Sequence, residues 1–468
     1  FWDEISSIKL IDKVDDFVYD LTILGTHNFV ANGFIAHNTS LLGALMLEMK
    51  PKYRMILVED SVTGDSKLII KEDGKFKKIN IGELINQKIK VNGFIDIDGR
   101  EKALNTNNIE VFCVNRDGKV ILAPPSKFIR HNVNKDVYEI ETTSGRKIKV
   151  TEDHSLFTLD NRNVIKPARS KDIREGDFVA IPLKLPLDNS LDSINFFDFL
   201  SKIEKKFFIC GEEITHYIKN NRKELFSIAY SLGYNKQTIQ HWTSAEILPI
   251  KFFEKINYKF DKNNLFLRSF RHSSKLPANF PLDESFLNFL GLWVADGCYD
   301  KNSVIISVQE EENREIVRKI AARFNTHVKI HSDKFSLMIN SVLLKEMMQK
   351  IFDFNGDSYT KNVPSWMYNL SDEQIGAFLK GFYSGDGCAS DKEIVFSICS
   401  KELVEDIRTL LLRYSIILRS SDVIRKDKTI NCRISSTKMI KLFNDNIGFL
   451  VKSKQEKLNK LVSRISTH

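Results

Sequence analysis

Hydrophobic and polar positions along the chain change period several times. Between Phe17 and Thr22 they alternate as in a half-buried strand, and Gly25–Asn28 break the alternation as a turn does. The triplets Phe29-Val30-Ala31 and Phe34-Ile35-Ala36 flank Asn32-Gly33. That predicts a two-residue hairpin, because both turn positions must accept positive φ. Leu41–Met49 predicts an apolar-rich helix that Pro51 ends, and Met55–Val58 predicts a buried strand before Glu59-Asp60. From 61 to about 183 short alternating runs with Gly, Asn and Asp turns predict a β-rich segment, and 184–280 is helix-prone. Beyond it, FLGLWVADGC (289–298) and FLKGFYSGDGC (378–388) are two apolar helical segments ending in Asp-Gly-Cys.

These two segments head an internal repeat. Asp296 and Asp386 lie 90 residues apart, and at the same offset VIIS (304–307) matches IVFS (394–397), and RKIAARF (318–324) matches RTLLLRY (408–414). Each half reads helix, acidic tip, strand, helix, a unit that must pack against its twin. Gly291 and Gly381 allow the helices to approach closely, which brings both acidic tips to one end. Two carboxylates there suit a divalent cation and phosphodiester cleavage; capped structural helices are the alternative reading. Within 224–250, Ala229, Gly233 and Ile239 have the spacing of a helix-turn-helix, which would present Lys236, Gln237, Gln240 and His241 to a DNA groove.

Composition adds a few bounds. At 468 residues the chain has length for two to four domains, and 69 basic against 61 acidic residues give a net charge of +8, compatible with a nucleic-acid partner. The six cysteines show no CxxC spacing, which points to a reducing, cytoplasmic setting. No apolar run reaches the length of a membrane span. No GxxxxGK[ST] occurs, so the chain as it stands is not a P-loop ATPase.

His37-Asn38-Thr39 carries chemistry of its own. An Asn side-chain amide can attack its own backbone carbonyl, a neighbouring His supplies protons, and a hydroxyl follows. The whole stretch Phe17–Thr39 resembles the C-terminal splicing block of inteins, with Asp20, Gly25, Thr26, His27, Asn28, Phe29, His37, Asn38 and Thr39 at the family's positions. Ser61 with the following Gly-Asp turn resembles the N-terminal block, although cysteine is the commoner first residue. Thr151-Glu152-Asp153-His154 resembles the TxxH block. The resemblance implies that Ser61 attacks the Asp60 carbonyl, Thr151 and His154 strain the scissile peptide, Asp20 assists transfer to Thr39, and His27 and His37 assist cyclisation of Asn38.

Residues 281–450, with the two Asp-Gly motifs and Lys361-Asn362-Val363-Pro364, resemble LAGLIDADG homing endonucleases. This implies Asp296 and Asp386 as a Mg²⁺-binding catalytic pair and Lys361 as a weaker candidate for water activation. It implies a monomeric enzyme on a long double-stranded DNA site, contacted by Arg408, Arg413, Arg419, Arg425, Lys426 and Lys428. The expected fold is a multi-domain α+β chain: an all-β, horseshoe-like splicing domain, a small helix-turn-helix insertion, and a pseudo-twofold αββαββα endonuclease.

The expected division is 1–38 C-terminal splicing part, 39–60 host segment, 61–183 N-terminal splicing part, 184–280 helical insertion, 281–450 endonuclease and 451–468 tail. Residues 39–60 resemble the segment after the P-loop of secretion ATPases. The order of blocks fits either a fragment spanning two inteins, favoured because that flank reads as natural ATPase sequence, or a circular permutation. A helix-turn-helix DNA-binding protein with an inactive nuclease-like domain is the alternative function.

Overall fold

The computed structural model describes residues 1–12, 16–37, 61–97, 100–105, 108–133, 135–160, 162–203, 207–253, 255–256, 258–269, 275–422 and 429–466. Asn38, Thr39, the helix and strand predicted in 41–58, and Arg425, Lys426 and Lys428 lie outside the described residues. The chain forms two compact units. One comprises Phe1–Asn189, Ser365–Asn369 and Val404–Phe443, the other Ser190–Pro364, Leu370–Leu403 and Asn444–His468.

The first unit is built of strands. They are β1 (Trp2–Ile11), β2 (Phe17–Thr22), β3 (Asn28–Ala31), β4 (Phe34–His37), β5 (Val62–Thr63), β6 (Lys67–Glu72), β7 (Lys75–Asn80), β8 (Ile95–Ile97) and β9 (Arg100–Leu104). They continue with β10 (Ile109–Val114), β11 (Val120–Ala123), β12 (Lys127–Asn132), β13 (Val137–Thr142), β14 (Lys147–Thr151), β15 (Ser155–Leu159), β16 (Ile165–Arg169) and β17 (Phe178–Ala180). One sheet runs β3-β4-β15-β17-β1-β13-β14-β5-β2-β12-β9-β8 with β16 beside β15, and a second runs β11-β10-β6-β7.

Residues 1–37 are therefore threaded through the sheet of 61–180. Strand β1 pairs with β13 and β17, β2 lies between β5 and β12, and β4 pairs with β15. The hairpin turns at Asn32-Gly33, whose φ values are 48° and 73°. Alternation buries Val18, Phe29, Phe34, Phe128, Ile140, Ile148 and Leu156 to at most 1% exposure. Each such side chain contributes about 1.5–3 kcal/mol, so the threading is strongly held. Helix α1 (Ile81–Asn92) lies between β7 and β8.

Two stretches expected inside the 281–450 domain belong to this unit instead. Asp406 is buried, pairs with Lys78 and accepts from the Tyr368 hydroxyl at 3.0 Å. Asn369 exchanges hydrogen bonds of 2.7 and 2.8 Å with the Phe76 backbone. Buried polar bonds of this kind cost most when broken, so they hold 404–443 here whatever the order of the sequence.

The second unit contains residues 190–280 of the 184–280 segment, which is not simply helical. Helices α2 (Arg222–Ser231) and α3 (Lys236–Ser244) accompany an antiparallel sheet of Leu248–Pro249, Phe207–Cys210, Phe266–Ser269 and Lys275–Pro277. The two motif segments are α4 (Glu284–Asp296) and α5 (Asp372–Asp386). Asp283 caps α4 by accepting from the Phe286 N–H, and Ser371 with Gln374 forms a capping box on α5. Helix, two strands, helix, two strands, helix follows in each repeat, as expected.

The helices α4 and α5 pack backbone to backbone. A Cβ on Gly291 would stand 2.1 Å from the Phe378 carbonyl oxygen, and one on Gly381 would stand 2.1 Å from that of Asn288. The 451–468 stretch, expected as a tail, forms α6 (Lys452–Ser466), with Leu458 and Leu461 buried.

Candidate functional site

The first site lies where β5, β14 and β12 carry polar residues into the core of the first unit. Ser61 is completely buried. Its N–H donates to Thr151 Oγ1 at 3.2 Å, and its carbonyl accepts the Thr151 N–H at 3.0 Å. The hydroxyl oxygen lies 2.7 Å from Nε2 of His131, a residue the sequence reading did not single out. Strand β2 carries Tyr19 opposite Val62, so Asp20 stands one step further, beside Ser61 in register. Asp20 is 3% exposed and accepts the Leu21 N–H at 2.7 Å.

His154 is held by its backbone. Its N–H donates to the Thr151 carbonyl at 2.9 Å, and its carbonyl accepts from the Ser170 N–H and hydroxyl. Its ring is fully buried, and neither nitrogen has a hydrogen-bond partner among the described residues. Burial, with the nearby His37, lowers its pKa to about 3. The pKa of His37 in turn falls to about 4 through burial and the nearby His27. His37 sits opposite Ser155 across the β4–β15 pair, with its ring edge on Phe157 at 5.2 Å. Burial thus holds His37 and His154 neutral, and His37 together with His27 lines a cavity of about 1090 Å³.

The second site is the shared end of α4 and α5. Asp296 Oδ2 lies 3.7 Å from where a Cβ on Gly385, the neighbour of Asp386, would stand. Burial and then Asp296 push the Asp386 pKa up to about 7. Burial also raises Asp296, with Lys361 and Lys454 opposing the shift. Mutual repulsion of this kind is relieved by a divalent cation, and two carboxylates suit one that keeps water and phosphate oxygens as further ligands. No group of three or more His, Cys, Asp or Glu capable of holding a metal occurs among the described residues.

Two lysines close the helix ends. Lys361, 5% exposed, donates to the carbonyls of Trp293, Val294 and Gly297 at 3.0, 3.1 and 2.7 Å. All three ammonium hydrogens are thereby engaged, so water activation by Lys361 does not fit this arrangement. It caps the negative end of α4, and burial lowers its pKa to about 8. Lys454 on α6 does the same for α5, donating to the Ser384 and Gly385 carbonyls at 2.7 and 3.0 Å. No motif around Lys454 marks it; only the repeat, extended to α6, could have pointed there.

The expected DNA-contacting residues divide. Lys236, Gln237, Gln240 and His241 are exposed on α3, while Ala229 and Ile239 are buried and Gly233 turns the chain at φ 82°. Arg419 is exposed. Arg408 and Arg413 are not available to phosphates. Arg408 is 2% exposed and donates to the Ser144 carbonyl and Ser420 hydroxyl at 3.1 and 2.7 Å, and Arg413 is 4% exposed and donates to the Leu187 carbonyl at 2.9 Å. Their spacing on an amphipathic helix looks the same whether the polar face meets solvent or protein. All six cysteines are free. No helix among the described residues is long and apolar enough to cross a membrane.

Comparison with known proteins follows these features. DNA-directed RNA polymerase subunit Rpo1C of Methanocaldococcus jannaschii is 26% identical over 414 residues, covering 87% of this chain and 41% of that protein. The chain spans less than half the length of the curated relatives it matches. A crystal structure of the transcription factor IIB Mvu mini-intein is 33% identical, with 27% of this chain and 70% of that one covered and a TM-score of 0.25. The structure of I-DmoI in complex with DNA and Ca is 19% identical, covering 38% and 98%, with a TM-score of 0.29. The resemblance of 39–60 to a secretion ATPase gains no support from these comparisons. The model of the intein splicing domain matches residues 69–467, most of the sequence, and the chain belongs to that family.

Proposed function

We propose that the chain is a self-splicing element whose splicing centre is assembled from residues 1–38 and 61–183, and which carries a metal-dependent, site-specific DNA endonuclease. The observation that carries the splicing reading is the Ser61 N–H held by Thr151 Oγ1, in a sheet that also contains the strands leading to His37. In the first step Ser61 Oγ adds to the Asp60 carbonyl carbon. The C–N bond then breaks, and the departing nitrogen takes a proton, leaving an ester and a free amine. His154 stands next to Thr151 with neither ring nitrogen hydrogen-bonded among the described residues, and its neutral ring is suited to donate a hydrogen bond to the departing nitrogen. Thr39 Oγ1 then takes the acyl group from Ser61. Asn38 closes to a succinimide with help from His27 and His37, and the released amine of Thr39 attacks its own ester to restore an amide. With both blocks in one sheet, this sequence joins residues 39–60 into a ring.

The endonuclease reading rests on the converging carboxylates of Asp296 and Asp386. They would hold a divalent cation such as Mg²⁺, which when bound supplies charge stabilisation and an activated water for phosphodiester hydrolysis. Lys361 and Lys454 fix the helix ends that aim them. The exposed face of α3 and Arg419 would add DNA contacts.

Incubation of the purified chain followed by mass spectrometry tests the splicing reading. A cyclic 39–60 product, or hydroxylamine-dependent cleavage between Asp60 and Ser61, is expected. A chain left intact under both conditions refutes it. Linearisation of plasmids from a randomised-site library with Mg²⁺ tests the second activity. It should vanish in Asp386→Asn, and retained cleavage there would place the site elsewhere.

A further inference from the structure

His131 sits near the end of β12, opposite Val18 on one side and Arg100 on the other, and is 5% exposed. Its Nδ1 lies 3.2 Å from the Asn132 carbonyl oxygen. A carbonyl only accepts, so Nδ1 carries the hydrogen, and in the neutral ring Nε2 is then an acceptor. The group facing Nε2 at 2.7 Å is the Ser61 hydroxyl, which must donate to it. This is the relation of a nucleophile to its general base, oriented by a third group on the far side of the imidazole. His154, the ring that the TxxH motif points to, makes no hydrogen bond to that hydroxyl.

We propose that His131 is the base that takes the Ser61 Oγ proton as the oxygen forms its bond to the Asp60 carbonyl carbon. The inference rests on the splicing reading and adds a catalytic residue to it. As the C–O bond forms, the proton passes from Oγ to Nε2. When the C–N bond breaks, the proton held on Nε2 passes to the departing nitrogen of Ser61, which returns His131 to its neutral form, so no further reactant is consumed. A buried serine needs such help more than cysteine does, since a thiol is already a few per cent ionised at neutral pH. The pairing thus accounts for a serine where the family more often has cysteine.

The test measures hydroxylamine-trapped cleavage between residues 60 and 61 in the full chain, in a two-by-two set. His131→Ala is made with Ser61 and with Ser61→Cys, and His131→Gln, similar in size but lacking a basic nitrogen, repeats both in case alanine disturbs the strand. General-base removal should slow the serine chain by about 10²–10³-fold. The cysteine chain should lose less than about tenfold. Equal losses in both backgrounds with His131→Gln would assign His131 to packing alone, and an unchanged rate with serine would remove it from the reaction. Cleavage absent even from the unsubstituted chain and from Ser61→Cys would instead overturn Ser61 as nucleophile, and with it the role of His131.

Discussion

Replacement of Gly291 by alanine probes the contact on which the acidic site depends. In an isolated helix the change is favourable by about 1 kcal/mol. Here the added methyl would stand 2.1 Å from the Phe378 carbonyl oxygen and 2.5 Å from the Phe382 nitrogen. Both are backbone atoms of α5 and cannot rotate away, so the helices must open by about 1 Å or more to reach ordinary contact distance. Overpacking of this kind costs about 1–3 kcal/mol, and with rigid backbone on both sides the upper part of that range applies. The net expectation is a loss of about 2 kcal/mol in the second unit, accompanied by separation of Asp296 from Asp386. Because the chain has two units, the assay is hydrogen exchange of amides in α4 and α5 as a function of urea, with Mg²⁺-dependent plasmid cleavage measured in parallel. Protection equal to or above that of the unsubstituted chain, with full cleavage, would refute the close-packed helix pair as the scaffold of the site.

Other expectations follow from the same geometry. Asp386, raised to about 7, binds a proton that the unfolded chain has already released, so without divalent cation the second unit should lose stability as pH rises from about 4 to 7. Asp386→Asn should flatten that slope in pH-dependent unfolding. His154 and His37, lowered to about 3 and 4, act in the opposite sense: the unfolded chain takes up protons first, so the first unit should weaken as pH falls from about 6.5 to 4. His154→Gln should reduce that acid sensitivity in the same measurement. Arg408→Ala, which removes the Arg408 donor to the Ser420 hydroxyl and one of two donors to the Ser144 carbonyl, should cost the first unit about 1–3 kcal/mol in denaturant titrations while leaving the salt dependence of DNA binding unchanged. Arg419→Ala should do the reverse, lowering that salt slope by about 1 with little change in stability.

Local signals read well from the chain because they depend on neighbours in sequence. The Asn32-Gly33 turn follows from the need for positive φ, and the strands on either side of it from strict alternation. The pairing of Gly291 with Gly381 was visible because a repeat must pack on itself, and a small residue at the same place in both halves can only face its twin. The helical reading of 184–280 failed in part, since short apolar runs such as Phe207–Cys210 have no period long enough to separate strand from helix.

What sequence alone determined is the set of side chains available: a hydroxyl at Ser61, Thr151 and His154 in TxxH spacing, and a carboxylate at the end of each motif helix. Tertiary structure decided which groups meet. His131 lies 70 residues from Ser61 and has no motif around it, yet the strand order β5-β2-β12 brings its ring to the hydroxyl. Arg408 and Arg413 carry the same charge in either setting, and only the packing of their helix turned them inward. The physical reason is common to both cases: a side chain's type sets which bonds it can make, but burial and distance, which set whether it makes them, belong to the whole fold.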